Sequence, residues 1–514
     1  MGHGGNLGGL FDYSDDLAFD TLQEKNIRSI SGSSKISDQE RADIQRIAST
    51  RFDTKGHNAK QPNDDIPAGY TYLAQFLTHD LTFSGGGLLA PGPSTFNDAR
   101  TTAMDLDSLF GGGPEISPIL YNICGESVSA QAYRTRLRTG RTIASDEKPS
   151  LENDIPRACL NDPLTNFSCP KTMGSYPFPK NMGTTYTEPL VADIRNADNL
   201  ILQQLVVFFI KLQNEVVSRI DRKKLPKDIL FRASRNICTI LYRSIIINDL
   251  LFRLLNPVIY KTFFGLGYSA SELARPCGAK FPLFSSPHIF RSAAMRLGHS
   301  MIQQRYVFNT DFPEPSLDAL LDFSASVNIG FKIPIESSWV IDWDLFFPKQ
   351  KNYTGYKDKI FNVYQNTNYN KSKKFTFSYA KSLGSERFGP PKDTEQSWDR
   401  GLIFADLFRG TKNRLPKTSK LHELIKEDSG IDIQLLETTL AKDNDSENHL
   451  IVYFLKEAAY FGGKRLGPLS SYVIANQISN SLTPLNLVDS ELQFVQSFGK
   501  NGLPIWMPEL MECM

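Results

Sequence analysis

The chain has 514 residues, 40% of them apolar, and 57 Lys+Arg against 56 Asp+Glu give a net charge of +1. That length suits one large domain or a few ordinary ones, and a balanced charge without a basic block argues against a nucleic-acid partner. Six cysteines, at 124, 159, 169, 238, 277 and 513, form no Cys-x-x-Cys pair, so neither a zinc site nor a dense disulfide framework is expected; Cys159 and Cys169 remain a candidate pair across a loop.

In chain order, residues 1–65 are polar and rich in Gly, Ser and Asp, and are expected to form an extended arm around a core. The first nine residues carry no basic or apolar leader pattern, so no secretory signal is expected, which leaves the cytoplasm or a non-classical route of export. Residues 66–83 predict the first buried helix, entered through Pro67 and Gly69. On it Gln75 and His79 stand four apart and share a face, while Asp80 turns roughly 100° away. A histidine and an amide on one face suit proton handling beside a small polar ligand. Alone, such a histidine is more often a satisfied core residue.

Residues 84–99 read as loop. The stretch Thr101-Thr-Ala-Met-Asp105-Leu-Asp107-Ser then sets oxygen donors at alternate positions, which face one side of an extended chain. Thr101, Asp105, Asp107 and a backbone carbonyl make a nest for a hard cation, which Asp80 would complete from the first helix. Residues 135–190 are rich in Pro, Gly, Asn and Thr and predict irregular surface structure.

A long buried helix is predicted from about Asn196, where Leu200, Ile201, Leu205, Phe208, Phe209, Leu212 and Val216 recur at three- and four-residue steps. Arg195 precedes it and would point inward, where a guanidinium needs a partner. Further helices are expected over 225–256 and 288–305. The latter holds Arg296-Leu-Gly298-His299, in which Gly298 would let a large group approach beside the imidazole. Residues 350–380 predict a long surface excursion. Helical pattern resumes at 398–410, 417–427 and 447–480, and Asp406 sits in an apolar run, where it invites a histidine N–H as mate. No run of about 18 apolar residues marks a transmembrane helix. The expectation is a mainly α protein, one large domain with long irregular loops.

Taken in order, Gln75-Phe-x-x-His79-Asp80-Leu, Asp105-x-Asp107-Ser-x-Phe-Gly, Asp193-x-Arg195-x-x-Asp198-Asn, Arg296-x-Gly-His299 and Asp406-Leu-Phe-Arg409-Gly resemble the motifs of the animal haem peroxidase superfamily, the myeloperoxidase-like enzymes. The late run Leu455-Lys-Glu-Ala…Gly463-Lys-Arg-Leu-Gly-Pro468 resembles the bacterial members. The resemblance spans 66 to about 480 and implies a catalytic domain over 66–490, followed by a tail over 491–514.

By that resemblance His79 is the distal histidine, Gln75 its companion, Arg195 the distal arginine and His299 the axial iron ligand oriented by Asp406. Arg296 and Arg409 would meet a haem propionate. Asp80, Thr101, Ala103 through its carbonyl, Asp105 and Asp107 would hold Ca2+. The implied activity is reduction of hydrogen peroxide and oxidation of small donors such as phenols or halides by a monomeric enzyme, with a place in the response to oxidative stress.

Three departures qualify this. Thr78 stands where mammalian members have an aspartate esterified to haem. Asp198 occupies the other ester position, one carbon shorter than the usual glutamate. Haem b is therefore expected to be noncovalent or singly linked. Asp406 replaces the usual asparagine beside the axial histidine, and Gln213-Asn214 replaces His-Asn, an expected structural change. The alternative activity is a cyclooxygenase-like fatty-acid dioxygenase. Those members carry a tyrosine three residues before the axial histidine, and here that position is Arg296. A non-catalytic role in haem binding or adhesion ranks third, because His79 and Arg195 are both kept.

Overall fold

The computed structural model describes residues 36–53, 61–82, 102–122, 135–145, 148–159, 187–221, 225–277, 287–310, 315–324, 334–349, 364, 367–384, 401–434, 443–499 and 502–514. Among the longer helices are α1 Asp38–Arg51, α2 Gly69–Leu81, α3 Leu200–Asp221, α4 Lys227–Ile245, α5 Leu402–Lys412, α6 Leu450–Tyr460 and α7 Pro468–Ser481. Among the described residues sheet is limited to two antiparallel pairs. Strand β1 (Pro62–Pro67) pairs with β4 (Lys371–Lys373), placing Pro62 opposite Lys373, and β2 (Arg157–Cys159) pairs with β3 (Thr187–Pro189). The architecture is mainly α, as expected.

Helix α2 lies at the centre. It is apolar around most of its circumference, which suits a helix enclosed on all sides. Its first turn passes so close to 346–347 that a Cβ on Gly69 would lie 2.5 Å from the Phe347 ring and 2.6 Å from the Phe346 carbonyl. Phe76 stacks on Phe209 of α3 at 4.8 Å, and Tyr72 meets Tyr306 edge-on at 5.9 Å. Helix α3 is the one described helix long and apolar enough to cross a membrane, yet 83% of that stretch is buried inside the protein, so it is a core helix.

The segment 287–301 changes its winding twice. It starts as α-helix (Pro287–Ile289), widens to a π-helix (Phe290–Ala294) and tightens to a 3-10 helix (Met295–Met301). Such changes redirect side chains relative to a regular helix and concentrate at functional sites. They aim Arg296 and His299 where uniform α-helical spacing would not.

Three expectations need correction. The arm expected over 1–65 contains α1, closed by a capping box between Ser37 and Glu40 and seated through buried Ile44 and Ile47. Two apolar contacts are too few to register as a periodic stripe. The helix is held instead by ion pairs from Arg46 and Arg51 to Asp445 and from Arg414 to Glu40. The tail expected over 491–514 is core: helices Asp489–Gln496 and Met507–Glu512 pack inward, Trp506, Met507 and Leu510 are buried, and the Met507 N–H donates to Asp249 at 2.8 Å. The surface excursion expected over 350–380 ends inside, because β4 pairs with β1 and Phe375 and Tyr379 are buried.

Candidate functional site

Helix α2 presents His79 and Gln75 on one face. His79 is 7% exposed, and its Nδ1 lies 2.9 Å from Oδ1 of Asn196. Gln75 Oε1 accepts from Asn199 Nδ2 at 3.1 Å. Asn196 lies in the short turn Ile194–Ala197, and Asn199 immediately precedes α3. Burial, then the nearby Arg195 charge, lower the His79 pKa to about 3, so the ring is neutral at ordinary pH.

Arg195 follows an N-cap made by Asp193, whose carboxylate accepts from the Arg195 N–H at 3.0 Å. Its guanidinium pairs with Asp193 at 2.6 Å and donates to the carbonyls of His79 (3.1 Å) and Thr82 and to the Thr82 hydroxyl (3.2 Å). Arg195 therefore clasps the C-terminal end of α2, whose last carbonyls lack intrahelical partners. Burial works most strongly against its charge, but Asp193, Asp198 and Asp107 together outweigh burial and raise its pKa. Asp198 follows the Ile194–Ala197 turn, half-buried.

On the other side, His299 Nδ1 lies 2.7 Å from Oδ2 of Asp406, a carboxylate 1% exposed on α5. Arg409, one turn further along α5, donates to the other oxygen, Oδ1, at 3.2 Å. Arg296 bonds a backbone carbonyl, that of Arg291, at 2.9 Å. Burial and then the Arg409 charge lower its pKa to about 9, with Asp406 opposing and the Arg195 charge adding to the effect. Arg296 is also among the charges acting on His79, so the two sets of residues share one electrostatic space. Among the described residues, a Cβ at Gly298, beside His299, would meet nothing within 4 Å. Room therefore exists next to an imidazole whose Nε2 has no hydrogen-bond partner among the described residues.

The third group is acidic. Asp80, Asp105 and Asp107 bring one carboxylate oxygen each to within 4.8 Å of one another. Leu106, with φ +60°, turns the chain between the last two, so the loop is bent rather than extended. Asp80 accepts from the Leu106 N–H (3.3 Å) and the Ser108 hydroxyl (3.2 Å). Burial first, then repulsion from Asp107 and Asp105, push its carboxyl well above the usual range. Arg235 pairs with Asp105 at 3.2 Å, and buried Arg243 ties Met104 to the carbonyls of Leu273 and Thr483. The Ala103 carbonyl accepts from the Asp105 N–H at 3.0 Å. Thr101 lies outside the described residues, as does Cys169.

Asn196, Asn199, Ser108 and Arg235 are given no role in the sequence, and Asp193 stands only as part of the Arg195 motif. Asp193 and Asn196 flank Arg195 but read as capping residues, and only Asp193 makes that contact. Ser108 and Arg235 carry no local signal, since their partners lie 28 and 130 residues away. Gln213 is structural: its amide accepts from the Leu137 N–H and donates to the Thr135 carbonyl.

No protein-family model matches the chain, and no curated protein matches it in sequence. Solved structures do. Peroxidase A from Dictyostelium discoideum aligns over 93% of this chain and 87% of its own, with a TM-score of 0.51 and 14% identity. A fatty acid alpha-dioxygenase from Arabidopsis thaliana aligns over 92% of this chain and 75% of its own, at 0.50 and 12%. The chain shares its mainly helical fold with these two structures.

Proposed function

We propose that this protein is a haem-dependent peroxidase, an oxidoreductase that reduces hydrogen peroxide at the expense of a small donor. The observation that carries the reading is His299, anchored at Nδ1 by a buried carboxylate and placed beside open space at Gly298. The donor set fits haem. His299 Nε2 would hold the haem iron, and Arg296, whose pKa is lowered by burial and a like charge, suits a propionate, with Arg409 beside it. Asp406 would orient the ring and raise its basicity.

Bound haem would supply the electron transfer that joins peroxide reduction to donor oxidation. The protein's own groups manage protons and charge. His79 is neutral, so Nε2 can take a proton from peroxide and return it to the departing oxygen, base and then acid. Arg195 places a fixed positive charge beside that transfer and holds the end of α2 against Asp193. Asp80, Asp105 and Asp107 are the proposed Ca2+ ligands, joined by Thr101 and the Ala103 carbonyl. Three carboxylates in such proximity suit a hard divalent cation.

Reconstitution with haem tests the proposal. Wild type should gain a Soret band that His299→Ala loses or shifts. His79→Ala should keep the band but react with peroxide roughly 10²–10⁴-fold more slowly. A colourless wild type, or an unchanged rate in His79→Ala, would remove it. A fatty-acid dioxygenase stays second, on the alignment with the Arabidopsis enzyme. Oxygen uptake with a long-chain fatty acid, without peroxide-driven donor oxidation, would reverse the order.

A further inference from the structure

We infer that Asn196 is a positioning residue that selects the tautomer of His79. It does so by a hydrogen-bond relay whose other end is fixed by the backbone. Asn196 is fully buried, and its carboxamide has one donor end and one acceptor end. The Nδ2 end lies 3.0 Å from the carbonyl oxygen of Ser108, an atom that can only accept. The donor end is therefore committed there. That turns Oδ1 toward the imidazole, 2.9 Å from His79 Nδ1. Oδ1 can only accept as well, so Nδ1 carries the hydrogen. A neutral imidazole holds one N–H, and the lone pair is left on Nε2.

The relay has a rigid base. Ser108 sits in the short helix Asp107–Phe110, and its hydroxyl donates to Asp80 Oδ1 at 3.2 Å, on the residue next to His79. His79, Asn196, Ser108 and Asp80 thus close a ring of contacts on α2. Rotating the Asn196 amide by 180° would set carbonyl against carbonyl at Ser108, so a single orientation is favoured. An unconstrained histidine prefers its hydrogen on Nε2. Without Asn196, His79 would by default lose the lone pair that its proposed role as base requires. The inference rests on the peroxidase reading for that consequence alone; the tautomer follows from the hydrogen bonds.

The test uses full-length protein with ¹⁵N-labelled histidine, in neutral buffer and without added haem. Ring nitrogen shifts of His79, assigned by difference from His79→Gln, report which nitrogen holds the hydrogen. Wild type should show Nδ1–H. Asn196→Leu, which removes both ends of the relay, should move the ring toward Nε2–H. After haem loading, Asn196→Leu should react with peroxide at least about tenfold more slowly at unchanged haem uptake. A wild-type ring with its hydrogen on Nε2 overturns the inference whatever the variants do. So does Asn196→Leu with Nδ1–H intact. Wild type that shows Nδ1–H but takes up no haem supports the inference and removes the peroxidase reading.

Discussion

Single residues decide the chemistry by what they are denied. His79 is enclosed without a carboxylate on its ring, so burial and Arg195 keep it neutral. His299 has the opposite arrangement, a carboxylate at 2.7 Å, which would make it an electron-rich ligand in the proposed haem site. The same enclosure sets a pH dependence. Above about pH 6.5 the His79 ring is neutral in both the folded and the unfolded chain. Below it the unfolded chain takes a proton that the folded protein refuses, so stability falls as pH drops toward about 3. This costs at most about 1.4 kcal/mol per pH unit. Peroxide reactivity of haem-loaded protein should accordingly stay level through pH 6.5 down to about 5; a loss of rate centred on the ordinary histidine value would contradict the enclosure. His79 and His299 are legible in the sequence through their spacing from Gln75 and Gly298. Asn196 is not, because its value comes from a carbonyl 88 residues away.

At the scale of elements, the protein fixes helix ends with side chains from other helices. Glu457 on α6 is buried, and its carboxylate accepts from the Leu469 and Ser470 N–H groups, the open N-terminus of α7. Burial raises its pKa to about 8 against those bonds. The contact is so close that a Cβ on Gly467 would lie 2.2 Å from the Glu457 side chain. Gly467→Ala should therefore displace the carboxylate and destabilise the protein by about 1–3 kcal/mol. Chemical denaturation would measure this, and an unchanged midpoint would show that α6 and α7 can separate freely. The late motif around Glu457 and Gly463-Lys-Arg-Leu-Gly-Pro468 is thus a capping device. Its residue types are visible in sequence, but the cap spans two helices and no local pattern reveals it.

For the whole molecule, stability and site are linked at the acidic cluster. The Asp80 pKa is raised, so without a cation its contribution is fully present below the usual carboxylate range and is lost as pH rises. A cation bound only to folded protein reverses this, adding about 2.7 kcal/mol at 100 times its Kd. Calcium should raise the melting temperature and chelator should lower it, more strongly in alkaline than in acidic buffer. A midpoint indifferent to both would refute the calcium assignment. Helix α1 serves the whole molecule in a different way. It seats on α5, where Arg41 lies over Phe408 at 5.9 Å, so the N-terminal segment braces the helix that carries Asp406.

The sequence by itself determined the helical class, the long core helix and the residue types of the site, because these depend on local periodicity and spacing. It also marked His79, Asp80, Asp105, Asp107, His299 and Asp406 as candidates, since each stands in a short motif, and the structure brings the three aspartates together and sets His299 on Asp406. Tertiary structure alone decided that α1 and residues 507–512 belong to the folded body, because a few buried contacts and ion pairs hold them rather than a stripe. It alone gave Arg195 its clasp on α2 and His79 its Asn196 partner. Hydrogen bonds between distant segments have no sequence period; they exist only once the core has brought the partners together.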